Sequence, residues 1–219
     1  MSVPSATATR PHGERRSTLT RRRAARRRRL RSLLVIAAAA LAVVAAVLIL
    51  PLARRAVNDL SLPLRYQDAI RHQAAAKHLD PALIAGVIYA ETKFDPRPSS
   101  AGAEGPMQIL PATAEYLAHR SGATTFRVSD LNTPQINIAY GSYYLRYLLN
   151  EYHGSVVLAL AAYNGGEANV DSWVAAVRAR GDRFVISDIP FPETRAYVQR
   201  VLKARADYRR TYASELGYR

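Results

Sequence analysis

Two patterns of hydrophobic and polar positions divide this sequence. From residue 32 to residue 53 the apolar positions run on without a single charge, whereas from residue 66 onward they recur at three- and four-residue spacing. The first run is long enough to cross a hydrocarbon core as a helix, which takes about 20 residues, and predicts one N-terminal transmembrane helix. The second region predicts helices over 66–78, 80–92, 111–121, 134–151, 155–164, 167–180 and 192–212, with Asp80 as an N-cap and proline at 81, 111, 134 and 192 opening four of them. No alternating stretch of useful length predicts a strand. The expected fold class is all-α: a small helical domain with a cleft, preceded by one transmembrane helix.

Charge sets the orientation and the divisions. The formal charge of +14 looks like a nucleic-acid signal until it is divided, because residues 1–31 hold eleven arginines and one acid, Glu14. Residues 54–219 carry twenty Lys/Arg against sixteen Asp/Glu, a mixed surface rather than a phosphate-binding stripe. The arginine excess before the apolar run predicts a cytoplasmic N-terminus and an extracytoplasmic domain. The organisation expected is an Arg-rich tail (1–31), a signal anchor (32–53), a linker (54–65), a folded domain (66–212) and a short tail (213–219). A cleaved signal peptide fits less well, since the apolar core exceeds an ordinary h-region and Arg54 and Arg55 follow it in place of a small-x-small site. Topology suffices to explain the arginines, and no nucleic-acid partner is expected for a domain across the membrane from them.

The absence of cysteine excludes disulfides, thiol nucleophiles and cysteine-zinc sites. The five histidines show no His-Glu-x-x-His spacing and no carboxylate cluster accompanies them, so no metal is expected. Candidate chemistry concentrates in 80–92, where Ile84, Val87, Ile88 and Glu91 fall at i, i+3, i+4 and i+7 and share a face. A carboxyl ending an apolar stripe, near the negative end of the helix dipole, is pushed toward its neutral form, as a general acid requires. The plain alternative is a glutamate emerging into water. The turn-rich loop that follows carries Gly102 and Gly105 and re-enters an apolar run with Gln108 between Met107 and Ile109. Further on, Tyr163 and Asn164 end a helix where they could face a cleft, with capping by Asn164 and Gly165 the alternative.

These segments resemble the catalytic domain of the soluble-lytic-transglycosylase-like family, a lysozyme-like fold, over roughly residues 66–210. Four motifs occur in the family's order. They are Ala-Leu-Ile-Ala-Gly-Val-Ile-Tyr-Ala-Glu-Thr-Lys-Phe-Asp-Pro around Glu91, Ser-Ser-Ala-Gly-Ala-Glu-Gly-Pro-Met-Gln-Ile-Leu-Pro-Ala-Thr-Ala at 99–114, Ala-Ala-Tyr-Asn-Gly-Gly at 161–166, and Ile-Pro-Phe-Pro-Glu-Thr-Arg-Ala-Tyr-Val-Gln-Arg-Val-Leu at 189–202. The resemblance implies that Glu91 is the catalytic acid and that Ser99, Met107, Gln108, Tyr163, Asn164 and Glu193 bind substrate. Glu193 is equally accounted for as an acid in the first turn of a helix. The chain departs from the pattern at Thr92, where serine is usual, at Pro106, where leucine is usual, and in a loop one residue short before Ser99, with Ser100 the adjacent choice.

The function the resemblance implies is a membrane-anchored peptidoglycan lytic transglycosylase, with glycan strands as substrate and no cofactor. Glycosidases commonly use two carboxylates, but Glu104, Glu115, Glu151 and Glu167 read as surface charges. The one-carboxylate scheme has Glu91 protonate the MurNAc–GlcNAc oxygen and then take the proton of the C6 hydroxyl as a 1,6-anhydro ring closes. A hydrolytic muramidase and a non-catalytic wall-binding or scaffold protein are the alternatives.

Overall fold

The computed structural model describes residues 41, 43–50, 62–97 and 99–218. Its helices after residue 62 are α1 (Gln67–Lys77), α2 (Pro81–Thr92), α3 (Pro111–Ser121), α4 (Pro134–Glu151), α5 (Val156–Gly165), α6 (Glu167–Ala179) and α7 (Pro192–Thr211). Proline stands at the start of α2, α3, α4 and α7, where the missing N–H is one that no helix would have paired. Two short 3-10 turns, Val128–Asn132 and Ile186–Asp188, and an antiparallel bridge between Glu104 and Ile109 went unforeseen in the sequence pattern. Each involves only a few residues, too short to impose a period. Among the described residues there is no strand, and the domain is all-helical.

The N-terminal unit, Met1–Val57, is separate from the unit Asn58–Arg219. Residues 41 and 43–50 of the expected anchor are helical, and among the described residues no helix is long and apolar enough to cross a membrane. The rest of that expected span, 32–40, 42 and 51–53, lies outside the described residues, as does the Arg-rich tail.

In the second unit α2 is the central element. Residues 82–88 are all buried, so the helix is enclosed on every side rather than along the single face the spacing predicts. The reason is the company it keeps: α1 and α7 both pack on it, and α7 runs along it most extensively. Small residues make that approach feasible. A β-carbon built on Gly86 would stand 3.0 Å from the Val201 carbonyl oxygen and 3.1 Å from the Arg205 nitrogen, both backbone atoms of α7. Below this crossing Ile84 and Ile88 meet Val198, Val201 and Tyr208 in one core cluster.

The start of α2 is secured from a distance. Asp80 caps it by accepting from the Ala82 N–H at 3.0 Å, and its other oxygen accepts from Arg205 Nε of α7 at 2.6 Å. Tyr218 also donates its hydroxyl to Asp80 and accepts from the Ala82 N–H at 3.1 Å. Burial works against the Asp80 charge, yet these bonds and the Arg205 charge together hold its carboxyl below the usual range. Residues 213–218, expected as a tail, therefore pack into the fold, with Leu216 buried. Residues 62–65, expected as linker, do the same: the carbonyls of Leu62 and Pro63 accept from Tyr212 (2.8 Å) and Tyr208 of the α7 end.

The crossing yields a direct expectation. Gly86→Ala places a methyl against rigid backbone and lowers stability by about 1–3 kcal/mol, measurable as a reduced denaturation midpoint; an unchanged midpoint would show that the two helices separate freely.

Candidate active site

Glu91 lies in the last turn of α2, one turn beyond the buried stretch. The chain then reverses through two left-handed residues, Lys93 (φ 51°) and Phe94 (φ 63°), and Phe94 is held in the core against Tyr66 and Tyr208. Glu91 is thus half-buried where helix gives way to loop. From α7, Tyr197 and Arg200 stand over it, and Tyr163 of α5 feels its charge. Burial pushes the Glu91 carboxyl up to about 7, with the Tyr197 hydroxyl and the Arg200 charge pulling weakly the other way. Burial, reinforced by the Glu91 charge, holds both Tyr163 and Tyr197 well above the ordinary tyrosine range. They are neutral groups at any pH the protein meets. The Tyr197 hydroxyl is buried without a hydrogen-bond partner of regular geometry, which leaves Glu91 as the polar group it can serve.

The opposite wall is the loop 99–110. Ser99 organises its turn, accepting from the Ala103 N–H at 2.9 Å through its hydroxyl. Gly105, at φ 71°, lies so close to Asn137 of α4 that a side chain there would occupy the same space. The Asn137 amide explains the contact: its oxygen accepts from the Met107 N–H at 2.8 Å and its nitrogen donates to the Glu104 carbonyl at 2.7 Å. The Met107 carbonyl in turn accepts from the Tyr163 hydroxyl at 2.9 Å. Thr92 carries a hydroxyl within reach of the Ile88 (3.1 Å) and Pro106 (3.0 Å) carbonyls, so threonine still ties loop to helix and Pro106 contributes through its oxygen. Gln108, itself left-handed at φ 47°, donates to the Arg97 and Gly105 carbonyls at 3.1 and 3.0 Å.

Two recesses meet at Gln108. One of about 330 Å³ is lined by Glu91, Thr92, Lys93, Asp95, Arg97 and Gln108. The other, about 180 Å³, has Gln108, Leu110, Thr113, Tyr144, Tyr163 and Asn164 in its lining. The arrangement offers a carboxyl that is half protonated near neutral pH beside an open groove with aromatic and amide walls.

Comparison with known proteins fits this geometry. The family described as "Transglycosylase SLT domain" matches residues 68–186. The chain belongs to that family. This SLT domain is 33% identical over 150 residues to the soluble lytic murein transglycosylase of Salmonella typhimurium, covering 67% of this chain and 23% of that protein. It is 37% identical over 121 residues to a transglycosylase of Enterobacteria phage PRD1, covering 55% of this chain and 42% of the relative. The SLT chain thus spans about a quarter of the length of the Salmonella relative. Among solved structures, an inactive glutamate-to-glutamine variant of the lytic transglycosylase Slt from Pseudomonas aeruginosa superimposes with a TM-score of 0.65 at 29% identity, covering 72% of this chain and 26% of that one.

Of the residues singled out from this SLT sequence, Glu91, Gln108, Tyr163 and Asn164 come together around the two recesses. Met107 is fully buried and lines neither recess; its carbonyl accepts from the Tyr163 hydroxyl that helps to hold the wall. Ser99 and Glu193 line neither recess: Ser99 is spent on its turn, and Glu193 is an exposed acid in the first turn of α7. Asn164 and Gly165 sit inside α5, and the residue that closes the helix is Gly166, donating to the Ala162 carbonyl at 2.9 Å. Four residues of the site escaped the sequence reading: Asp95, Asn137, Tyr197 and Arg200. Asn137 and Tyr197 left a signal, since each interrupts an apolar helical stripe, with Gly141, Leu145 and Leu148 in α4 and with Val201, Ala204 and Tyr208 in α7.

The raised Glu91 carboxyl has a consequence for stability. The folded chain holds this proton more tightly than the unfolded one, so stability falls as pH rises from about 4.5 to about 7 and then levels. Glu91→Gln removes this loss and gains up to about 3 kcal/mol at pH 8 relative to its effect at pH 4. Denaturant titrations at the two pH values check this; equal effects would mean that Glu91 is solvated.

Proposed function

We propose that the chain is a membrane-anchored lytic transglycosylase that cuts the β-1,4 bond between N-acetylmuramic acid and N-acetylglucosamine in peptidoglycan. The observation that carries this reading is Glu91, a carboxyl pushed up to about 7 by burial at the edge of an open recess in an SLT domain. Its proton goes to the glycosidic oxygen, so that N-acetylglucosamine leaves with its 4-hydroxyl restored. The substrate's acetamido oxygen shares the positive charge that develops at C1 of the muramoyl residue. The C6 hydroxyl of the same residue then bonds to C1 and its proton returns to Glu91, which leaves a 1,6-anhydro end and the enzyme in its starting state. Intramolecular attack gains from proximity, so no protein nucleophile is required. The neutral Tyr197 hydroxyl and the Arg200 charge favour the ionised half of the cycle without abolishing the acid. That a relative from Pseudomonas aeruginosa is inactivated by one glutamate-to-glutamine change supports a mechanism resting on one glutamate.

One observation favours a second reading. Asp95 lines the same recess as Glu91, which gives a second carboxylate of the kind a hydrolase uses to direct water. Against it stands the Arg97 guanidinium, 3.0 Å from Asp95 Oδ2 on an exposed surface, which competes with a water for that oxygen. Mass spectrometry of peptidoglycan digested by the full chain, with borohydride reduction, separates the two. The transglycosylase gives borohydride-resistant anhydro ends, lost by at least about a hundredfold in Glu91→Gln and retained in Asp95→Asn. Reducible ends that vanish in Asp95→Asn would establish the hydrolase instead.

The anchor belongs to this proposal as well. Support comes from the charge-free run 32–53 and the arginine excess before it, which orient the domain outward and leave the N-terminus in the cytoplasm. The full chain is expected in the membrane fraction after alkaline carbonate extraction, with residues 62–218 open to protease from the outer face. Release by carbonate would remove the anchor from the proposal.

A further inference from the structure

The chain enters the helical domain beside the C-terminal end of α7, where the Leu62 and Pro63 carbonyls accept from the Tyr212 and Tyr208 hydroxyls. That end is the basic part of the domain. Residues 54–219 carry twenty cations against sixteen acids, an excess of four, and residues 200–211 alone carry five against one, so the remainder is balanced. Arg200, Lys203, Asp207 and Arg210 recur at three- and four-residue spacing and share a face of the helix. With Leu62 and Lys93 they line a recess of about 550 Å³, in which four cations meet one acid. Asp207 is engaged by Lys203 and Arg210, each at 2.7 Å, yet those two side chains remain 79% and 75% exposed. Lys93 and Arg200 are also exposed and, among the described residues, form no ion pair within 4 Å.

Reach decides what meets this face. Eight residues, 54–61, separate the expected anchor from Leu62, and whatever path they take they span no more than about 30 Å. A tether that short makes contact with the bilayer intramolecular, so a patch too weak to hold a free domain suffices to hold an anchored one. Cations gathered on one face are drawn to the negative potential of anionic headgroups, an attraction that fades beyond about 10 Å. We propose that the α7 face around Lys203 and Arg210 docks on the anionic phospholipid headgroups of the membrane in which the chain is anchored. This inference rests on the anchor proposed above and adds an orientation to it. Lys93 borders both this recess and that of Glu91, so a domain docked in this way presents its groove to strands lying next to the bilayer. A phosphate-bearing wall polymer offers the same charge, but no tether delivers it to this face.

The test measures proximity in the full chain and requires no turnover. Because the sequence has no cysteine, a donor fluorophore can be placed at Ala206→Cys, exposed between Lys203 and Arg210, or at Ser172→Cys, exposed on α6 beside Trp173. Trp173 packs on Phe191 at the opposite end of α7, about 20 Å along the helix from Ala206. Each labelled chain is reconstituted into vesicles of phosphatidylcholine alone or of equimolar phosphatidylcholine and phosphatidylglycerol, with an acceptor dye on a lipid headgroup. Phosphatidylglycerol should raise energy transfer from the Ala206 site more than from the Ser172 site, and high salt should remove the rise. Lys203→Gln with Arg210→Gln should lower the docked-to-undocked ratio about thirtyfold and abolish the rise, whereas Lys203→Arg with Arg210→Lys, which keeps both charges, should retain it. The lipid comparison on the parent chain needs no change in the patch, so it decides the matter independently of how the glutamine variant folds. Equal transfer in the two lipids, an equal rise at both sites, or a rise that survives in the glutamine variant overturns the proposal. Displacement by soluble poly(glycerol phosphate) at a charge concentration below that of the lipid also overturns it, by assigning the face to a wall polymer. Release of the chain from the vesicles by alkaline carbonate would instead overturn the anchor, on which the docking rests.

Discussion

The close passage of α7 over α2 at Gly86 is the constraint on which the rest of the domain depends. With no side chain at that point the two backbones approach to within van der Waals contact, and everything on α7 within two turns is brought against the last turns of α2. That is how Tyr197 and Arg200 come to stand beside Glu91. A burial deep enough to move a carboxyl to about 7 disfavours its charge by a few kcal/mol. The fold sustains this because the enclosed helix is apolar from Ala82 to Ile88 and anchored at its start by Asp80, Arg205 and Tyr218. The cost of burying this one carboxyl is thus carried by the helix that holds it.

The facing wall is built on another economy. Loop 99–110 has little regular structure, yet its backbone polar groups are paired in sequence by Asn137, Tyr163 and Thr92, side chains from three different helices. An unpaired buried amide would cost roughly 1–3 kcal/mol, and here the pairing groups also fix where Gln108 stands. The left-handed conformation of Gln108, unfavourable for a residue with a side chain, follows from that fixing. Tyr163 illustrates the difference between facing a groove and reacting in it: its ring lines a recess while its hydroxyl is committed to the Met107 carbonyl.

Much of this was legible in the sequence, and the division is physical. Helices begin at proline and Asp80 because those residues act on their own backbone, so a linear pattern suffices to find them. Glu91 was legible for the same reason: an acid ending an apolar stripe is a local anomaly. What a period of 3.6 cannot say is which stripe meets which. Two of the loop's partners lie thirty residues or more away, Asn137 from Met107 and Tyr163 from Met107, and nothing local distinguishes an amide that satisfies a distant backbone from one on a surface. The enclosure of α2 on all sides was likewise hidden, because Gly86 marks a crossing only once its neighbour is known. Nothing in the sequence pattern singles out Asp95, and only the turn at Lys93 and Phe94 brings it back to the recess.

The Tyr218 contact with Asp80 has a consequence for the order in which the molecule is made. The two residues are 138 positions apart, so the helix bearing Glu91 leaves the ribosome long before the residue that completes its cap. Chain elongation at about 5–20 residues per second makes that interval several seconds or more, far longer than the sub-microsecond to microsecond time in which a helix forms. During it the N-terminal end of α2 has only Asp80 to hold it, and neither α7 nor the final turn is present to bury the acid. The burial of Glu91 is therefore delayed until residues 192–218 have been made, and belongs to the packed helices rather than to the segment that carries the glutamate.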